Sequence, residues 1–280
     1  KDMLITGHKG LIGQNLWRYV RADDGVIAHG FDLPVNNIVS LDEVLFAAQG
    51  MDTVVHLAGE TSETDDPFGM FKVNVGGSMN VIRACREHRV GRLIYVSSLC
   101  GGLLETPYSA GKATVEAQLK SFSYSYGMDS VILRFDSVYG KYCMHKKDPV
   151  TEFIKSAIIS DTIRIKEGNT VHDFLYAEDA ADAILNAHEL EPKKLGTYPI
   201  EIGTGIMITL WELAEIIEAA HGSKITMERV DTGCKNKPDP MVTARDQLGF
   251  KAKTSIEDGI AQTYDWMKGE IERIEKVYKV

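Results

Sequence analysis

From Met3 to about residue 135, short apolar runs rich in β-branched residues alternate with longer stretches of helical periodicity, and that alternation leaves few folds open. Strands are expected at Met3–Thr6, Val26–Phe31, Thr53–Leu57, Arg92–Val96 and Ser130–Arg134. Helices are expected between them at Leu11–Ala22, Leu41–Gln49, Phe71–His88 and Tyr108–Tyr126. The strand runs are almost wholly apolar, as in Thr53-Val-Val-His-Leu57, so both faces of the sheet need cover. The pattern predicts an α/β fold built on a Rossmann-type, doubly wound parallel sheet.

After Tyr139 the rhythm changes. A polar, basic stretch from Lys141 to Pro149 leads into an amphipathic helix near Val150–Ser160. Short strands then follow at Ile163–Lys166, Phe174–Tyr176, Tyr198–Ile202 and Ile225–Arg229, with helices at Glu178–Glu189, Leu210–His221 and Ser255–Ile274. The expected division is a Rossmann-type domain from residues 1–140 plus parts of 160–205. A small C-terminal α/β substrate-binding cap takes mainly 141–160 and 206–280.

Composition narrows the partners. The chain has 280 residues and a net charge of −9, which repels phosphate backbones and anionic lipid, so neither nucleic acid nor a membrane is expected. No apolar run approaches the roughly 18–20 residues that span a bilayer. Cys85, Cys100, Cys143 and Cys234 are scattered without metal-ligand spacing, so no metal site is expected, and the thiols read as reduced and cytoplasmic. The first strand begins almost at once, so no signal peptide is expected.

Two motifs carry the chemistry. Gly7, Gly10 and Gly13 are three apart, directly after the first strand and at the opening of the first helix. That spacing allows a tight turn, close backbone approach to a pyrophosphate and close helix–strand packing. Asp32 follows the second strand, nineteen residues after Gly13. A carboxylate there accepts both ribose hydroxyls of NAD and repels a 2′-phosphate, so NAD is the expected cofactor. The second motif is Tyr108 and Lys112, one helical turn apart. A nearby ammonium stabilises the phenolate of a tyrosine whose free pKa is near 10. Ser97 and Ser98 end the preceding strand, where Ser98 can hydrogen-bond the substrate oxygen on which Tyr108 acts.

With these residues in place the chain resembles the extended short-chain dehydrogenase/reductases, and within them the NAD-dependent epimerase/dehydratase family of nucleotide-sugar enzymes. The resemblance continues through Asp52-Thr-Val-Val-His-Leu-Ala-Gly59, Asn74-Val-Gly-Gly77, Arg134-Phe-Asp-Ser-Val-Tyr-Gly140, Asp173-Phe-Leu-Tyr-Ala-Glu-Asp179 and Leu248-Gly-Phe250. It implies Ser98, Tyr108 and Lys112 as the catalytic trio, with Lys112 also holding the nicotinamide ribose. It implies cofactor contacts from Leu11, Ile12, Leu57, Ala58, Asn74 and Ser97, and places Asn37 and Ile38 beside the adenine. It also implies a homodimer through Phe71–His88 and Tyr108–Tyr126, with Ala110, Ala113, Ala117 and Val81 suited to close helix approach.

Departures from the family pattern fall on the substrate side. Ser137 stands where the family usually has Asn, and His172 and Lys237 stand where it usually has Arg. Neither His nor Lys reproduces the bidentate fork of Arg on a phosphate. Only nine residues separate Ser98 from Tyr108, fewer than is usual in the family. Cys100, two residues beyond Ser98, sits where some epimerases of the family use a cysteine as acid/base, and Lys146 is at the position of their second group. A packed thiol and a solvated basic run (His145-Lys146-Lys147) are the weightier reading of these two residues.

The expected activity is therefore epimerisation or dehydration of a sugar nucleotide through a transient keto intermediate, formed by Tyr-assisted hydride transfer to bound NAD. A net sugar or uronate dehydrogenase or ketone reductase, and a non-catalytic NAD-binding regulator, are the alternatives. Lys141, Lys146, Lys147 and Lys237 are the charges expected to draw in an anionic substrate.

Overall fold

The computed structural model describes residues 1–22, 25–60, 66–99, 106–142, 144, 148–191, 197–230 and 248–278. The chain opens with β1 (Asp2–Thr6), α1 (Leu11–Ala22), β2 (Ile27–Phe31), α2 (Leu41–Ala48) and β3 (Thr53–His56). Next come α3 (Pro67–Phe71), a π-helical segment (Lys72–Gly77), α4 (Ser78–Glu87), β4 (Arg92–Ser98), α5 (Pro107–Tyr126), β5 (Ser130–Phe135) and β6 (Ser137–Tyr139). The later part holds α6 (Pro149–Ser160), β7 (Thr162–Lys166), β8 (Val171–Tyr176), α7 (Ala177–Glu189), β9 (Pro199–Ile202) and β10 (Met207–Thr209). It ends with α8 (Leu210–His221), β11 (Thr226–Val230) and α9 (Ile256–Tyr278).

Six strands form one parallel sheet in the order β2-β1-β3-β4-β5-β9. The chain moves outward from β1 to β2, then returns to the other side of β1 at β3. This reversal opens a crevice at the carboxyl ends of β1 and β3, where open α/β sheets bind ligands. Both faces are covered, as the apolar strand runs require. One core joins Met3, Ile5, Ile94 and Leu133 to Leu16 and Val20 of α1 and to the alanines of α7. The opposite face packs Leu4, Val54, Leu93 and Ile132 against α2, α4 and α5 through Val44, Val81, Ile82, Val115 and Leu119.

The later segments build a third core from α6, β7, α8 and α9, with Ile154, Ile163, Leu213, Ile217, Ile260 and Met267 at its centre. Two small sheets accompany it: β10-β8-β6, and the pair β11-β7. Three of its helices start at explicit caps or a capping box. Asp148 accepts from Val150 and Thr151 at the start of α6, Thr209 and Glu212 cap α8 reciprocally, and Ser255 accepts from Asp258 before α9.

The structure departs from the expected elements in several places. The single helix expected at Phe71–His88 begins at Pro67 and widens into a π segment over Lys72–Gly77 before α4 resumes the α-helical pattern. Gly77 sits against Ile38, and a Cβ there would lie 2.8 Å from that side chain, so the widened turn packs where a larger residue would not fit. β6 and β10 have only three residues each, too short for a periodicity signal, and α9 runs on to Tyr278. Val81 is buried in the core of the subunit, so it is not part of an exposed helix face.

At the amino-terminal end of β4, an interior strand, Arg92 ties the layers together. Its Nη1 donates to the carbonyls of Ala187 (2.7 Å), His188 (3.2 Å) and Leu190 (2.7 Å), answering the open C-terminal carbonyls of α7. Its Nε and Nη2 bond Asp129 at 3.1 and 2.8 Å. Replacing Arg92 by Met strands a largely enclosed carboxylate and three carbonyls. The expected loss is about 3 kcal/mol of unfolding free energy, read as a lower urea midpoint.

Candidate active site

The first βα turn is shaped by backbone contact. Gly7 has φ +72°, and a Cβ on it would lie 2.7 Å from the Ala58 nitrogen at the end of β3. A Cβ on Gly13 would lie 2.3 Å from the Gly7 carbonyl oxygen, so α1 presses directly on the turn. Gly10 differs: within 4 Å its Cβ would meet only the Gly7 oxygen, at 3.3 Å, and Gly10 instead lines a cleft of about 390 Å³. Packing thus dictates Gly7 and Gly13, whereas Gly10 keeps a cradle clear above the N-terminus of α1. Leu11 and Ile12 open that helix, and their side chains pack into the sheet core.

Asp32 stands across the cleft. Its Oδ2 accepts from the Lys9 backbone N–H at 2.9 Å and its Oδ1 from Leu33 at 2.8 Å, so the carboxylate also fixes the glycine turn. Each oxygen keeps a further lone pair for a hydroxyl. Asn37, Ile38, Leu57 and Ala58 line the same cleft. Asn74 braces its wall: its side-chain amide donates to the Glu60 carbonyl at 2.9 Å and its oxygen accepts from the Glu60 N–H at 2.7 Å.

A buried hydrogen-bond chain runs beneath the cleft. Ser78 Oγ donates to the Asn74 carbonyl (2.5 Å), which leaves it to accept from His56 Nε2 (2.8 Å). His56 Nδ1 then accepts from Thr6 Oγ1 (2.7 Å), and Thr6 Oγ1 in turn accepts from the Ala58 N–H (3.3 Å). The chain is complete only with neutral His56 protonated on Nε2. Burial, aided by the Lys112 ammonium, lowers the His56 pKa to about 3 and holds it in that form.

Above this chain lies α5. Thr106 and Ser109 form a capping box and Pro107 takes the first helical position, so the helix start that carries Tyr108 is firmly fixed. Lys112 Nζ donates to the Val96 carbonyl at 2.9 Å, two residues before Ser98. It lies 5.7 Å from the Tyr108 ring centroid and 4.9 Å from that of Tyr95. Burial above all, then the charges of Tyr108 and Glu116, raises the Tyr95 phenol well above its ordinary value, so Tyr95 stays neutral beside the ammonium. Lys112 thus stands between the Tyr108 ring and the backbone of β4, two residues before Ser98 ends that strand. Ser97 turns its hydroxyl away from solvent, donating to Glu116 at 2.6 Å.

Ser137 and His172 are brought together. β6 runs parallel to β8, and Ser137 Oγ lies 3.2 Å from His172 Nδ1. Ser137 is two residues beyond Phe135, which pairs with Ser98, so the pair borders the carboxyl end of β4. Lys141, expected to attract substrate, is engaged by Glu178 at 3.0 Å instead. Cys100, Lys146 and Lys237, together with Cys143, Cys234, His145 and Lys147, lie outside the described residues. Burial pushes the Cys85 thiol up to about 12, which makes it an inert core residue. Among the described residues there is no cluster of three or more potential metal ligands, and no helix is long and apolar enough to cross a membrane.

The sequence profile of the NAD-dependent epimerase/dehydratase family matches residues 3–200, and the chain belongs to that family of enzymes, with NAD as cofactor. Similar proteins include the UDP-glucuronate 4-epimerase of Thermodesulfobacterium geofontis, 27% identical over 272 residues (88% of this chain and 81% of that protein). GDP-mannose 3,5-epimerase 1 of Oryza sativa subsp. japonica is 23% identical over 317 residues, covering 96% of this chain and 82% of that protein. The fold is shared with the UDP-glucose 4-epimerase of Thermus thermophilus, solved as a complex with NAD. That structure aligns with a TM-score of 0.84 and 22% identity, over 96% of this chain and 99% of the other. The cleft fits this cofactor: Gly10 would hold the pyrophosphate at the N-terminus of α1, and Asp32 the adenosine ribose.

Sequence reasoning assigned no role to His56, Ser78, Glu116 or Arg134. The signals were a polar residue inside the apolar run Thr-Val-Val-His, and an acid one turn beyond Lys112.

His56 generates a pH prediction. Its folded pKa lies below the ordinary 6.5, so its stabilising effect is complete above pH 6.5 and is lost as pH falls toward 3. Over that window wild-type unfolding free energy should lose about 1.4 kcal/mol per pH unit relative to His56→Asn. Urea titrations between neutral and mildly acidic pH check this; parallel slopes for the two proteins would refute it.

Proposed function

We propose that this enzyme epimerises or dehydrates a sugar nucleotide through a keto-sugar intermediate, with Ser98, Tyr108 and Lys112 handling the proton. The observation that carries the reading is Lys112, held on the Val96 carbonyl at 2.9 Å with its charge beside the Tyr108 ring. NAD, when bound, accepts a hydride from a sugar carbon and can return it. Tyr108 as phenolate takes the hydroxyl proton from that carbon's oxygen, and Ser98 donates a hydrogen bond to the same oxygen. The Lys112 ammonium favours the phenolate electrostatically, which lets a tyrosine act as base near neutral pH. The neutral Tyr95 and His56 around Lys112 leave its positive charge undiluted.

Ser137 and His172 border the space where the sugar nucleotide would lie. A His–Ser pair offers single hydrogen bonds where a guanidinium would offer a fork, so the diphosphate would be gripped less rigidly. The relatives are named for UDP-glucuronate and GDP-mannose, so both nucleotides belong in the test.

The enzyme is further proposed to act in the cytoplasm and as a homodimer through the helical stretch Phe71–His88 and α5, with the end of α3 beside them. Phe68, Phe71 and Tyr124 are strongly exposed, and Ala110 and Ala117 lie exposed along α5, a surface suited to a second copy. Light scattering on the purified protein should give twice the 31.0 kDa chain mass, and a monomeric mass would reject the dimer.

The activity test incubates the NAD-loaded protein with UDP-glucuronate, UDP-glucose and GDP-mannose and follows products by NMR. A new epimer or 4-keto product without net NADH is expected, whereas stoichiometric NADH would mark a net dehydrogenase. Tyr108→Phe should lower turnover by about 10²–10⁴-fold while leaving NAD bound.

A further inference from the structure

One buried ion pair lies directly behind the catalytic stripe. Tyr108, Lys112 and Glu116 follow one another at four-residue intervals on one face of α5, each about 6 Å further along the axis. The Glu116 carboxylate is almost fully enclosed, at 3% exposure. Its Oε1 accepts from Ser97 Oγ at 2.6 Å and from Arg134 Nε at 2.8 Å, and its Oε2 accepts from Arg134 Nη2 at 2.6 Å. Ser97 and Arg134 are register partners on β4 and β5, and Arg134 is also 3.9 Å from Glu201, its register partner on β9. One side chain of α5 therefore fixes the helix against two central strands.

Stability alone does not call for this arrangement, because a buried ion pair is commonly matched or bettered by apolar residues of similar volume. Its position supplies a use. Lys112 bonds the carbonyl of Val96, Glu116 holds the side chain of Ser97, and Ser98 is the next residue. Two consecutive turns of α5 thus grip two consecutive residues of β4, which sets where Ser98 stands relative to Tyr108. The bidentate guanidinium holds the carboxylate in one orientation and neutralises it, so that Lys112 is not drawn one turn down the helix to an unpaired acid.

We infer that Glu116 and Arg134 are positioning residues: their ion pair, through Ser97, keeps Ser98, Tyr108 and Lys112 in reactive register. The inference rests on the proposed roles of those three residues. A misplacement of about 1 Å at such a site can lower turnover on the order of 100-fold without touching the reacting groups.

The test replaces the pair by apolar residues of similar size, E116L/R134M, alongside the single variant E116Q. The double variant should fold with a melting temperature near wild type and retain NAD. With whichever of UDP-glucuronate, UDP-glucose or GDP-mannose the wild type converts, kcat should fall about tenfold or more while KM stays within about threefold. A second readout needs no substrate: the ionisation of Tyr108, followed by ultraviolet absorbance of the NAD-loaded protein with Tyr108→Phe as the blank. It should move up toward the free-tyrosine value near 10 in the double variant. Wild-type kcat together with an unmoved Tyr108 titration would overturn the inference, whatever happens to the melting temperature. If the double variant fails to fold, E116Q decides by the same two readouts, since it keeps an oxygen for Ser97 but removes the charge that orients Arg134. Should the wild type convert none of the three sugar nucleotides, the proposed function is what fails, and the Tyr108 titration still reports on the pair.

Discussion

The cofactor cleft depends on how closely the ends of β1 and β3 approach. Gly7 turns with positive φ against Ala58, and Thr6 and His56, the last residues of the two strands, share a 2.7 Å hydrogen bond. Because His56 passes the chain on to Ser78 and Asn74, the same contact fixes the π segment, and Asn74 fixes the loop at Glu60. Every member of the chain has a donor and an acceptor in the right sense, so the network can be buried without an orphaned polar group. A neutral imidazole is the only protonation state that allows this. The Lys112 charge, which helps keep His56 neutral, thereby couples α5 to the hydrogen-bond chain beneath the cleft.

On the side of the crevice formed by α5 and β4, one helix does most of the positioning. The capping box at Thr106 and Ser109 fixes where α5 starts, and helical geometry then dictates where Lys112 and Glu116 fall. The strand is held in return, at Val96 by Lys112 and at Ser97 by Glu116. Two rigid elements clamped at two successive points leave little freedom for the serine that follows. Sites built this way hold their geometry better than sites carried on loops.

Much of this was legible in the sequence where the signal is local. The apolar strand runs located the parallel sheet, and the glycine spacing with Asp32 located the cleft. Tyr108 and Lys112 read correctly as one helical face because four-residue spacing has a single meaning in a helix. The missed features are those whose meaning is set by distant partners. His56 looked like one more residue of a buried strand until Thr6 and Ser78, from β1 and α4, were seen on its two nitrogens. Glu116 looked like an ordinary helical acid; only the register of β4 and β5 brings Ser97 and Arg134 to it. The π segment was missed because one continuous helix was read through Phe71–His88; within it Gly77 packs against Ile38. Lys141 was assigned to substrate from its charge alone, and its partner Glu178 comes from an element 37 residues later.

The substrate side follows a different logic from the rest of the site. Around Glu116 the protein places a guanidinium with both arms on one carboxylate, which gives orientation as well as charge. Around Ser137 and His172 it places two short neutral-capable groups that hydrogen-bond each other, at the border between the main sheet and the later segments. A pair already satisfied by mutual hydrogen bonding gives up that bond to engage a ligand, and gains less from a phosphate than a guanidinium would. Among the described residues the firmly held element is therefore the Tyr108–Lys112–Glu116 stripe, fixed by the sheet. If the proposed function holds, a substrate's charged end would meet softer contacts at Ser137 and His172 than a guanidinium offers, and discrimination between sugar nucleotides would rest more on how the sugar meets Ser98 and Tyr108.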